Sequence, residues 1–310
     1  MKKILCIILI FMLAFSACAE LNIVCSLFPQ YDFTRIIAGE HATVSQLLPW
    51  GMDSHEFEIS PRAALKLADA DMFIYTDSEL EGWVSDISDV LTNTLVVRCA
   101  DGIDLEYLNE IWETAEHESH TEHEEGHKHA YDAHIWLDPT LAMQMCNNIA
   151  AALKQLDPEN ADDYEKNLEE YLSELQTLDD DFTAVLKDGG TLYFGGKFAY
   201  SHFIRHYGID YYSAYGSCSD EGEPGARTII EMITRMNADG AKVIFTDEMS
   251  SGEVARSIAQ ETESEVMLFH TCHNLSAEDA AAGKTYLDIM RENLNNICIA
   301  LGRSEVALDE

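Results

Sequence analysis

Short apolar runs rich in β-branched and aromatic residues recur at 22–26, 72–76, 95–98, 191–194, 243–246 and 266–270. They are continuous, not alternating, as expected of strands covered on both faces, and each is followed by a helical pattern. Strands alternating with helices predict an α/β fold with parallel sheets. Three runs precede residue 100 and three follow residue 190. The pattern therefore predicts two lobes, each with a parallel sheet flanked by helices. A chain of 310 residues is long enough for both lobes to bury apolar surface.

The longest periodic stretch lies between these groups. Tyr164, Leu168, Tyr171, Leu172, Leu175, Leu178, Phe182, Val185 and Leu186 recur in steps of three and four, forming one apolar stripe. Asp157-Pro158 reads as an N-cap and first helical residue, and Gly189-Gly190 as a stop. A single helix over 157–188 is predicted, about 45 Å long at the α-helical rise. It would separate an N-terminal lobe at 20–156 from a C-terminal lobe at 189–310 and limit how far they close. The competing reading packs the helix within one lobe.

Met1-Lys2-Lys3 precedes 16 uncharged residues, Ile4 to Ala19. That run is short of the ~20 residues needed to cross a bilayer, and residues 1–19 read as a signal peptide. Ala17-Cys18-Ala19 suits cleavage before Glu20, giving a soluble exported chain. Phe15 to Cys18 also resembles a lipobox, which would anchor the chain through Cys18. Either outcome places the protein in the periplasm or at the cell surface. Six cysteines remain beyond Cys6 and Cys18, too few for a disulfide scaffold, and their default role is as small buried side chains.

Charge narrows the partners. There are 56 acidic against 19 basic residues, a net charge of -37, which repels nucleic acid and anionic membranes and favours cations. Of 12 histidines, six lie between residues 117 and 134. His117, His120, His123, His127 and His129 belong to an acidic stretch, 113–130, with no apolar periodicity. It reads as a solvated loop offering accessory, multivalent metal capture; the alternative is a charged surface insertion. The chain contains no H-E-x-x-H, G-x-S-x-G or phosphate-cradling glycine motif, so nothing marks an enzyme.

Two further histidines sit in turns just ahead of helices. His55 lies within Gly51 to Pro61, and His134 within Asp132 to Pro139. Each has a nearby carboxylate, Asp53 or Asp132, of the kind that fixes an imidazole tautomer beside a metal. G-x-D-x-H-x-x-x-x-S-P at Gly51 to Pro61 and H-x-W-L-D-P at His134 to Pro139 carry a resemblance. So do Phe28-Pro29, Asp157-Pro158 with Tyr164 and Asn167, Tyr207-Gly208 and Glu221-Gly222-Glu223-Pro224. Over essentially the whole mature chain, the sequence resembles the zinc/manganese substrate-binding proteins of bacterial ABC transporters, the group with a rigid linking helix.

The resemblance implies a metal site in the cleft between lobes, with His55 and His134 as first-lobe ligands. The second lobe departs from the family pattern. Zinc members usually carry a third His where this chain has Lys197, and manganese-type members use a Glu from the loop holding Glu221 and Glu223. Glu221 is the expected third ligand, with Glu223 the alternative. The usual last-loop Asp aligns with Asn274, a poor donor, so neighbouring His273 is expected to be the fourth. His202, with His206 one helical turn on, is a further candidate. Cys218 and Cys272 fall in the same two loops, where a disulfide, a thiolate ligand and buried thiols all stand open. A site of His55, His134, Glu221 and His273 suits tetrahedral Zn(II) better than Mn(II). The implied function is a monomeric zinc-binding protein delivering Zn(II) to an ABC permease; a manganese carrier and a secreted zinc hydrolase are the alternatives.

Overall fold

The computed structural model describes residues 20–105, 132–218 and 222–304. The leader at 1–19, the five clustered histidines from His117 to His129, and Glu221 lie outside the described residues.

The first sheet contains β1 (Leu21–Cys25), β2 (Ala42–Gln46), β3 (Met72–Tyr75) and β4 (Leu95–Arg98), in the order β2-β1-β3-β4. The second contains β5 (Thr191–Phe194), β6 (Asp210–Ser213), β7 (Val243–Thr246) and β8 (Glu265–Leu268), in the order β6-β5-β7-β8. Every pairing is parallel, and the two sheets share one strand order. The expected α/β class and paired parallel sheets are thus present. β2 and β6 are partly exposed edge strands interrupted by polar residues and lack a continuous apolar run, whereas the opposite edges, β4 and β8, keep one.

In such open sheets, strand order reverses beside the first strand, and the crevice beyond the carboxyl ends is the natural ligand site. In the first lobe, α1 (Phe28–Ala38) follows β1 and α2 (Pro61–Ala68) follows the turn after β2. After residue 132 the chain enters α3 (Pro139–Leu156), whose start is capped by Asp138 through the Thr140 backbone N–H at 2.8 Å.

The linking helix is α4 (Ala161–Leu186), 26 residues and about 39 Å long. It begins later than the cap reading of Asp157 anticipated. Asp157 ends α3 and Pro158–Asn160 forms a short 3₁₀ turn. The Asp157 carboxylate instead accepts from Tyr164 Oη at 2.7 Å and Asn160 Nδ2 at 2.6 Å. The apolar stripe of α4 is buried from Tyr164 to Leu186. Its first half meets α1, through Phe33 against Tyr171 and Asn167 Nδ2 donating to the Ile37 carbonyl. Its second half meets α5 (Ser201–Tyr207), through Phe182 against Phe203 and Tyr207. The helix therefore packs on both lobes, not within one.

One apolar cluster runs from Ile23 and Cys25 in the first sheet, through Trp136, Leu175 and Phe182, to Phe194 and Phe245 in the second. The last described helix, α6 (Tyr286–Ala300), returns to α1. Tyr286 donates its backbone N–H to Asp32 Oδ2 at 2.8 Å, and its ring stands edge-on to Phe33 at 4.9 Å.

Candidate metal centre

His55 and His134 are presented by the same local device. An aspartate two residues upstream accepts the histidine's backbone N–H: Asp53 Oδ1 from His55 at 2.9 Å, and Asp132 Oδ1 from His134 at 2.9 Å. Short polar side chains favour such turns because they bond their own backbone two residues on. Asp53 thereby caps the 3₁₀ turn Ser54–Glu56, and Ser60 then caps α2 through the Ala63 N–H at 3.2 Å.

Asp132 does more. Its Oδ1 lies 2.5 Å from His134 Nδ1. A carboxylate accepts, so Nδ1–H donates, and Nε2 is the nitrogen that carries the lone pair once the ring is neutral. That Nε2 lies 3.3 Å from Cys218 Sγ. Burial disfavours a charged His134 ring, but the flanking Cys218 sulfur and Asp132 carboxylate outweigh it and raise its pKa well above the usual imidazole value. Burial likewise works against an ionised Asp132, yet the His134 imidazole holds that carboxyl below the ordinary range.

His273 arrives from the loop after β8 with its orientation also fixed. The Thr271 hydroxyl donates to Glu248 Oε1 at 2.5 Å, leaving Oγ1 to accept from His273 Nδ1 at 2.6 Å. Among the described residues, the His273 Nε2 is buried with no hydrogen-bond partner. Burial, with His134 and His55 nearby, pushes the His273 pKa well below the usual value, leaving a neutral imidazole suited to ligation. The preceding Cys272 adopts φ +58°, a left-handed conformation that costs a non-glycine residue roughly 1–2 kcal/mol and turns the loop sharply.

These residues converge. One donor atom from each of His55, His134 and Cys218 lies within 4.8 Å of the other two. The His273 ring centroid is 4.6 Å from that of His134 and 5.4 Å from that of His55. His134, Cys218 and His273 are all buried. Trp136 backs the group, 5.3 Å from His134 and 5.2 Å from His273, and its Nε1 donates across the lobes to the Thr271 carbonyl at 2.8 Å.

The other expected residues fall elsewhere. Glu223 is exposed and lines an open depression with Lys197, Tyr215 and Ser250, and no histidine is among the residues lining it. Asn274, weighed above as a poor donor, has its amide engaged: its Nδ2 donates to the Pro49 and Met52 carbonyls at 2.6 and 3.0 Å, and its Oδ1 accepts from Gln46 Nε2 at 2.8 Å. With its amide so committed it fastens the lobes and is not placed as a ligand. His202 and His206 share a helix but not a target. His202 Nε2 donates to the Asp132 carbonyl at 2.8 Å, whereas His206 bridges Asp138 and Asp179 at 3.1 Å each. The disulfide reading is also corrected, since Cys218 and Cys272 are both free thiols. Cys218 faces His134, while Cys272 is fully buried with its sulfur 4.0 Å from the His270 carbonyl. Thr271 and Glu248, which orient His273, carried no signal as its support; only their place after β8 and β7 marks them.

Residues 23–300 match the family described as zinc-uptake complex component A, periplasmic. The chain is 31% identical over 287 residues to the zinc-binding protein AdcA of Streptococcus pyogenes serotype M3, covering 90% of this chain and 55% of that protein. It thus spans about half the length of that relative. It is 32% identical over 279 residues to the high-affinity zinc uptake system protein ZnuA of Bacillus subtilis, covering 89% of this chain and 86% of the relative. Among solved structures, the metal-dependent lipoprotein YcdH of Bacillus subtilis superposes with a TM-score of 0.76 at 29% identity, covering 91% of this chain and 99% of that one. The Zn(II)-bound ZnuA-like domain of Streptococcus pneumoniae AdcA gives 0.75 at 25% identity, covering 92% and 100%. These relatives are named for zinc binding and uptake, not for catalysis. With the match extending over both lobes and the linking helix, the chain belongs to the family of periplasmic zinc-uptake components.

Proposed function

We propose that the protein captures Zn(II) outside the cytoplasm, as a monomer, and passes it to an ABC-type permease. The ligands are His55, His134, Cys218 and His273. Cys218 takes the place expected for Glu221, which lies outside the described residues. The observation that carries this reading is the meeting of the His55, His134 and Cys218 donors between the lobes, with the His273 ring 4.6 Å from that of His134 and both His134 and His273 anchored through Nδ1 so that Nε2 is left for a metal.

Zinc takes four such donors tetrahedrally, at about 2.0–2.1 Å for imidazole nitrogen and 2.3 Å for sulfur, which sets ligand atoms roughly 3.3–3.8 Å apart. The His134–Cys218 pair already stands at 3.3 Å. Closing the 4.8 Å limit of the group takes movement of about an ångström, within reach of loops on a stiff base. A thiolate and three imidazoles favour zinc over manganese, which prefers oxygen and binds lowest in the divalent series. The histidines at 117–129 would collect ions ahead of this site. The leader supports export, with a soluble chain from Glu20 or a lipid at Cys18 as the two routes.

The test is competitive titration of chelator-stripped protein with zinc and manganese, with element analysis. One zinc per chain, preferred over manganese and abolished in His134→Ala, is expected. Tight manganese binding, or zinc binding undiminished in His134→Ala, refutes the reading.

A further inference from the structure

Each first-lobe imidazole is set by an aspartate two residues before it, and each aspartate is reached from one short stretch of the second lobe. His202, on α5, donates from Nε2 to the Asp132 carbonyl at 2.8 Å; a carbonyl only accepts, so the direction is fixed. Asp132 in turn takes both the backbone N–H and the Nδ1–H of His134. Five residues earlier, Lys197 Nζ stands 3.7 Å from Asp53 Oδ2, and Asp53 Oδ1 takes the His55 backbone N–H.

The stretch that carries both side chains is itself pinned. Lys197 donates its backbone N–H to Asp247 Oδ2 at 2.8 Å. A Cβ on the preceding Gly196 would lie 2.4 Å from that oxygen and 2.7 Å from the Asp247 nitrogen, so only glycine lets the chain approach β7 so closely. At the other end, His206 reaches Asp138, the cap of α3, and Asp179 on α4. His202 is 4% exposed.

We infer that His202 and Lys197 are positioning residues: from the second lobe, and without touching the metal, they hold Asp132 and Asp53 and thereby set His134 and His55 for ligation. The inference rests on the metal site proposed above. It gives Lys197, where zinc relatives of the resembled family carry a histidine, a supporting task in place of a ligand's. A ligand's supporting hydrogen bonds orient the ring and tune its basicity, and their loss commonly weakens metal affinity by about 10–100-fold.

The experiment compares His202→Phe, His202→Gln, Lys197→Met and the His202→Phe/Lys197→Met pair in the full mature chain. Zinc affinity is measured by competition with a chromophoric chelator, and melting is measured on metal-free protein. His202→Phe keeps an aromatic volume but removes the donor, and is expected to weaken zinc roughly 10-fold or more. His202→Gln restores an N–H toward the Asp132 carbonyl and is expected to recover most of that loss. Lys197→Met acts through a longer contact and should cost less, with the pair's losses multiplying because the two arms share no partner. The inference is overturned if His202→Phe binds zinc like the parent, or if Gln and Phe lose affinity equally, since packing alone then explains the effect. Reduced melting with unchanged affinity overturns it as well. A parent chain that binds no zinc, or a His134→Ala variant that still does, removes the site itself and is told apart by those two controls.

Discussion

Asn274 offers a sharp test of how the lobes are held. It is 1% exposed, and three hydrogen bonds cross from it to the first lobe: to the Pro49 and Met52 carbonyls and from Gln46 Nε2. At about 1 kcal/mol net for each, with about 1–2 kcal/mol more for buried groups left unpaired, Asn274→Ala should cost roughly 4–5 kcal/mol. For a chain of this size, 1 kcal/mol moves the melting temperature by about 2–4 °C, so a drop of the order of 10 °C is expected in metal-free protein. Asn274→Asp separates two meanings of the position. It keeps the acceptor for Gln46 and the Leu275 N–H but sets an anionic oxygen against two carbonyls, 2.6 and 3.0 Å from the nitrogen it replaces. If the residue is a fastener, Asp is at least as damaging as Ala and zinc affinity falls with stability. If it were a ligand position, Asp would supply the oxygen that related proteins use and zinc would bind more tightly. Scanning calorimetry with and without zinc reads both. An Asn274→Asp protein that melts like the parent and binds zinc more strongly refutes the reasoning.

Cys218→Ser should weaken zinc binding and abolish the sulfur-to-metal charge-transfer absorption of the Co(II)-loaded protein; persistence of that band would show the thiolate is not coordinated. Zinc at about 100 times its Kd should add roughly 2.7 kcal/mol of stability, and an unshifted melting curve contradicts a site formed only in the folded chain. His206, hydrogen-bonded to Asp138 and also facing Asp179, has its pKa raised above the ordinary imidazole value. A raised folded pKa gives stability that is fully present below the unfolded pKa of about 6.5 and lost as pH rises through the folded value. The metal-free parent should therefore exceed His206→Gln most in mild acid, with the gap shrinking as pH rises; a gap that is constant with pH counts against this.

The central strands and the long helix were legible because burial on both faces, or along one stripe, imprints a continuous or 3.6-residue pattern. β2, with Ala42 to Gln46, and β6, with Asp210 to Ser213, carry no such imprint because polar residues interrupt these partly exposed edges, unlike the opposite edges β4 and β8, whose runs stay apolar. At the site, the turns around His55 and His134 were readable since Asp53 and Asp132 act through local backbone bonds two residues away. The second lobe was harder. Whether His273 or Asn274 enters the cluster depends on the left-handed turn at Cys272, which no neighbouring residue signals. The spacing of His202 and His206 places them on one helix face but says nothing of Asp132 and Asp179, which approach from distant parts of the chain. For Cys218, a disulfide, a thiolate ligand and a buried thiol were each compatible with its place in the loop, and only the approach of its sulfur to His134 in three dimensions separates them.

The contact between Asp32 and Tyr286 has a kinetic side. The two residues are 254 positions apart, yet Tyr286 completes the packing of the first helix. Joining such distant segments loses chain entropy before any contact repays it, so folds rich in these pairings form slowly. The first lobe of this chain is assembled early in sequence but closed last, by a helix that ends at Ala300. A chain stopped after residue 186 would leave Phe33 without Tyr286, Trp136 without the Thr271 carbonyl and the second half of α4 without Phe203, so the proposed metal site needs the second lobe in place.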